Sequence, residues 1–115
     1  MSAFRDPVAS QHPHNHTLHI QVKEIADKLR PDLVRLHGHP TDKNGDLKLY
    51  QALIQELKGI KKQVTNHDTL FSLHNAINHL QKAIQLAESS ALNEEILWHL
   101  QEVMALLFKV QNLPS

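Results

Sequence analysis

The chain contains no cysteine, which excludes disulfides, thiolate catalysis and cysteine-ligated zinc or iron–sulfur centres. It has only three glycines, and none belongs to a phosphate-cradling loop, a nucleophile elbow or a similar catalytic turn. Aromatic residues are scarce at 4%, so a core must be built from Leu, Ile, Val and Ala, which suits helices better than a β-sandwich. There is no net charge, since twelve basic residues balance twelve acidic ones, and hence no global field towards nucleic acid or anionic membrane. No apolar run approaches the roughly 20 residues of a membrane span, and the opening MSAFRDPVASQHPH has no apolar signal-peptide stretch. These absences predict a soluble, cytoplasmic protein with no nucleic-acid partner, no membrane partner and no cofactor.

What is present is helical periodicity. At 115 residues the chain is one domain, able to bury roughly two thirds of its unfolded surface. Its most apolar stretch is LNEEILWHLQEVMALLFKVQNL, in which Ile96, Leu100, Val103, Leu107 and Val110 step by four, three, four and three. This is one face of a helix packed in a bundle. Leu97, Met104 and Phe108 widen the stripe, while Trp98 and Leu106 fall outside it. A helix this apolar is either central to a bundle or half of an interface with another chain.

The other segments follow the same pattern. Residues 1–16 hold two prolines and scattered apolar positions, and read as a flexible, histidine-rich tail ahead of a helical domain at 17–115. A first helix is expected over 17–36, capped by Thr17, with Leu18, Val22, Ile25 and Leu29 as its seam. Pro31 should kink or break it, after which Leu33, Val34 and Leu36 continue the apolar face. HGHPTDKNG at 37–45 is a loop, and Asp46 caps a second helix over 46–64 with Tyr50, Leu53, Leu57, Ile60 and Val64 as its seam. Asp68 is the expected cap of a third helix over 68–88, whose seam is Leu70, Leu73, Ile77, Leu80, Ile84 and Ala87. The fourth runs over 92–112 behind Ser90 or Asn93. Four such segments joined by short turns predict an all-α, antiparallel four-helix bundle.

Ten histidines are the unusual feature. His12, His14 and His16 in the tail, with His37 and His39 flanking Gly38, are candidate ligands for zinc, nickel or copper. Nothing among the tail histidines closes the shell with a carboxylate or thiolate. The string DKNGD places Asp42, Asn44 and Asp46 as at the start of a calcium loop, but Leu47 and Leu53 occupy the positions of its glycine and its closing glutamate. A turn followed by a helix cap explains the same residues. His74 and His99 border apolar stripes and read as partly buried, hydrogen-bonded side chains.

His79-Leu80-Gln81-Lys82-Ala83 resembles the H-x-x-K-G core of histidine phosphotransfer domains, with Ala83 in the place of the glycine. The resemblance implies a four-helix bundle in which His79 is an exposed phospho-acceptor and Lys82 stabilises the phosphoryl oxygens. It covers five residues. Otherwise no enzymatic constellation is found: no E-x-x-H pair on two helices and no H-E-x-x-H, and the lysines of helix two lack interleaved aromatics.

The leading expectation is therefore a protein–protein interaction module: an adaptor, regulatory subunit or chaperone-like partner. It would bind another helix or form a dimer through Trp98, Met104, Leu106 and Phe108 of helix four. Phosphotransfer through His79 is the alternative and metal binding through the tail the third. Apart from that phosphotransfer reading, the chain is not expected to be an enzyme.

Overall fold

The computed structural model describes the backbone of residues 2–112 and the side chains of residues 17–112. Four helices follow one another: α1 (Ser2–Gly38), α2 (Leu47–Lys61), α3 (His67–Glu88) and α4 (Asn93–Asn112). Among the described residues there is no strand, and no helix is long and apolar enough to cross a membrane. Each helix borders its neighbours in the chain, and α1 closes the ring against α4. Cross-helix pairs show the antiparallel sense: Asp32 meets Tyr50 and Lys28 meets Glu56 across α1 and α2, while α3 and α4 meet at His79 and His99. The fold is the all-α four-helix bundle that the periodicity predicts.

α4 is a corner of this square, bordering α1 and α3, and the diagonal pairs do not approach closely among the described residues. It is not the central helix that its apolar content suggested. Its buried seam is the expected one, with Ile96, Leu100, Val103, Leu107 and Val110 all in the core. α3 and α4 pack most extensively. Small residues explain this: Ser72, Ala76 and Ala83 are all fully buried on α3, and side chains that short let the two backbones come close. The core face of α3 is rotated accordingly. Leu73, Ile77 and Leu80 are buried as predicted, whereas Leu70, Ile84 and Ala87 are only half-buried.

Helix ends correct several expectations. α1 is one helical assignment across Pro31 and extends upstream of Thr17 to Ser2. Pro31 is exposed and ends nothing, and the apolar face beyond it is carried by Leu36 while Val34 points outward at 69% exposure. The buried residue of that turn is Asp32, which the apolar pattern did not single out. Asp46 caps α2 as expected, accepting from the Leu49 amide at 3.1 Å. α3 is capped by Asn66, accepting from the Thr69 amide at 3.0 Å, and Asp68 sits in the first turn instead. α3 ends in a Schellman closure: the Ser90 amide donates to the Ala87 carbonyl and the Ala91 amide to that of Leu86. Ser90 takes the left-handed conformation there, with φ of 59°, a place usually held by glycine.

At that end of the bundle the long loop caps α4. The first amides of a helix have no partner within it. Here the Asn93 amide donates to the Asp42 carbonyl at 2.7 Å and the Glu94 amide to the Pro40 carbonyl at 3.0 Å. Asn93, fully buried, completes the join by donating to the His39 carbonyl and to Asn44 Oδ1 and by accepting from the Asn44 amide. Gly45 follows, so close to Ala87 and Ile96 that a Cβ there would come within 2.9 Å of each. The residues that resemble the start of a calcium loop are thus a turn that closes a helix end, with Asn44 turned to Asn93 and Asp46 to the α2 amides.

Candidate functional site

The α3–α4 groove brings together three side chains that the sequence treats separately. His79 lies on the same α3 row as Ala76 and Ala83, three residues after one and four before the other. His99 lies three after Ile96 and four before Val103 on α4. Where the small residues draw the helices together, the two imidazoles face each other with 3.0 Å between their Nδ1 atoms. Their rings are tilted by 39° with centroids 5.3 Å apart. Trp98 stands edge-on to both, 4.9 Å from the His99 ring and 6.0 Å from that of His79. Both histidines are half-buried and Trp98 is 55% exposed.

Burial holds the pKa of His99 below its ordinary value, and the positive charges of His79 and Lys82 lower it further, against the opposing carboxylate of Glu102. His99 is therefore kept neutral more readily than a free imidazole. A neutral pair shares one Nδ1 proton, one ring donating and the other accepting. His79 is thus not the fully exposed histidine that the phosphotransfer resemblance implies, since it is half-buried with one ring nitrogen engaged; Lys82, one turn on, is exposed.

The residues expected to bind a partner divide between two edges of α4. Leu97, Gln101, Met104 and Phe108 step by four, three and four along the edge towards α1. Leu97 and Met104 pack partly against the core, and Phe108 is 68% exposed. Leu97 and Gln101 form one wall of a shallow groove of about 450 Å³, and Leu33, Val34, His37 and Gly38 of α1 form the other. Leu106 is half-buried against the core, and Trp98 belongs to the histidine pair.

A second depression at the α2–α3 turn is lined by Lys61, His67, Asp68, Leu70, Phe71 and His74. His74 is exposed there and does not border the core. Of the candidate metal ligands, His12, His14 and His16 lie outside the described side chains. His37 and His39 are both exposed, and His39 Nδ1 lies 3.4 Å from Asp42 Oδ2. Among the described residues no group of three or more His, Asp or Glu side chains is disposed to hold a metal.

A buried polar clamp went unread in the sequence. Tyr50, fully buried, donates its hydroxyl to Asp32 Oδ2 at 2.5 Å, and Arg35 donates to Asp32 Oδ1 through Nε at 3.0 Å and Nη2 at 2.5 Å. Burial and the neighbouring Asp32 push the Tyr50 hydroxyl well above the usual tyrosine pKa. The clamp joins α1 to α2, the least extensive of the four contacts, and reads as structural.

No family model, curated protein or solved structure matches this chain.

Proposed function

We propose that the protein is a small helical interaction module, an adaptor, regulatory subunit or chaperone-like partner, that receives an amphipathic helix along the α1-facing edge of α4. The observation that carries this reading is the unfilled apolar edge itself. With the α4 seam already fully buried, Leu97, Met104 and Phe108 add a second row beside a groove whose far wall includes the exposed Val34. Helix-in-groove recognition uses anchors at this spacing, and Phe is a frequent anchor at such interfaces. The occupant is a helix of another protein or of a second copy of this chain.

Phe108→Glu and Val34→Glu place charge on the two rims of the groove and leave the core intact. Light scattering across a concentration series, and a pull-down with the intact chain and each variant, test the reading. A dimer or stoichiometric complex lost in both variants at unchanged helicity is expected. A wild-type chain that stays monomeric and retains nothing that Phe108→Glu loses removes the basis for it.

Phosphotransfer through His79 is the second reading. It is supported by the bundle and by the Nδ1 contact, which leaves Nε2 as the other ring nitrogen, with Lys82 one turn away. It requires acid-labile label from a phosphodonor that is absent in His79→Gln.

A further inference from the structure

We propose that His79 and His99 together chelate a divalent transition-metal ion, of the copper(II) or nickel(II) class, through their Nδ1 atoms in the α3–α4 groove. The bite distance selects the class. Metal–imidazole bonds of about 2.0–2.1 Å place two nitrogens about 2.9 Å apart when they meet at a right angle, and about 3.3–3.4 Å apart in a tetrahedron. The observed separation is 3.0 Å, which fits neighbouring positions of a square-planar or tetragonal shell.

The two ligands are held in place by the fold. Each imidazole is half-buried on a helix face, with buried Ala76 and Ala83 on either side of His79 and buried Ile96 and Val103 on either side of His99. Loading the site needs both Nδ1 lone pairs free, so the ring that carries its proton on Nδ1 in the hydrogen-bonded pair moves it to Nε2. The groups facing the pair are Lys82 from α3 and Glu102 and Trp98 from α4. Glu102 offsets the positive charge of the ion, and the depressed basicity of His99 leaves its lone pair unprotonated near neutral pH. The remaining coordination positions are filled by water or by an exchangeable ligand, because the described residues supply no third histidine or carboxylate. The site is distinct from the histidines of residues 12–16 and does not depend on the interaction reading.

Trp98 makes the site directly observable, since it is the chain's single tryptophan and lies 4.9 and 6.0 Å from the two rings. Copper(II) quenches indole emission at short range. Titrating the full chain with copper sulfate in a weakly coordinating buffer should give a saturable quench at one equivalent. His79→Gln and His99→Gln should each weaken that binding more than about ten-fold, because each removes one of two protein ligands. The triple variant His12→Gln, His14→Gln, His16→Gln should keep it. Equal quenching in wild type and both single variants overturns the proposal and assigns the copper elsewhere. A second reading guards against a variant that fails to fold. The triple variant loaded with one equivalent of copper should show two coordinated imidazole nitrogens by electron paramagnetic resonance, and a spectrum without them also overturns the proposal.

Discussion

Tyr50→Phe is the sharpest test of the packing described here. The hydroxyl is fully buried and donates to Asp32, whose other oxygen is already taken by Arg35. Removing it deletes a hydrogen bond to a charged acceptor and leaves a buried carboxylate oxygen short of a donor, at a cost of about 1.5–3 kcal/mol. In a domain of this size that lowers Tm by about 5–20 °C. The effect has a pH signature. Because the native phenol titrates above its unfolded value, the stability it contributes is complete below the ordinary tyrosine pKa of about 10 and is lost as pH rises beyond it. The gap in unfolding free energy between wild type and Tyr50→Phe, from urea melts, should therefore be constant from neutral pH to about pH 9 and narrow above pH 10. Tyr50 is the only tyrosine, so the alkaline difference spectrum of the native chain reports this one group. A phenol that ionises near pH 10 in the folded protein, or a substitution costing under about 0.5 kcal/mol, would refute the clamp.

Three further outcomes are expected. Asn93→Ala removes three side-chain hydrogen bonds at a fully buried position and should cost about 2–4 kcal/mol in chemical denaturation, with faster amide exchange over residues 39–46. Ser90→Gly relieves a left-handed non-glycine residue at the end of α3 and should raise stability by about 0.5–1 kcal/mol, read as a higher urea midpoint at unchanged slope. His99, with its native pKa lowered, contributes stability that is present above its unfolded pKa of about 6.5 and lost as pH falls through the native value. Thermal melts of wild type should therefore fall more steeply on acidification below pH 6.5 than those of His99→Gln.

The seams of α2 and α4 were legible because a single helix has a single periodicity: Leu53, Leu57 and Ile60, or Ile96 through Val110, can face one way only. The Asp46 cap was legible for the same local reason. Pro31 shows the limit. Proline disfavours a preceding helix, yet α1 runs through it, beside a turn that Asp32 ties to Arg35 and Tyr50. Asn93 could be placed at the start of α4 from sequence, but its partners His39 and Asn44 lie some fifty residues away.

Candidate sites divide in the same manner. His79 and His99 were each visible, one as a surface residue and the other as a packed histidine, and their spacing from Ala76, Ala83, Ile96 and Val103 was the signal that both belong to facing rows. That they meet depends on how far α3 rotates and how closely it approaches α4, which Ser72, Ala76 and Ala83 permit together. The sequence by itself determined that the protein is a helical bundle with its core in four apolar stripes, because hydrophobic periodicity is a property of each segment alone. Only the tertiary structure decided that α4 is a corner helix, that its surplus apolar residues divide between a groove and a histidine pair, and that Asp32 is buried. Those outcomes depend on rotation and distance between helices, and no single helix encodes either.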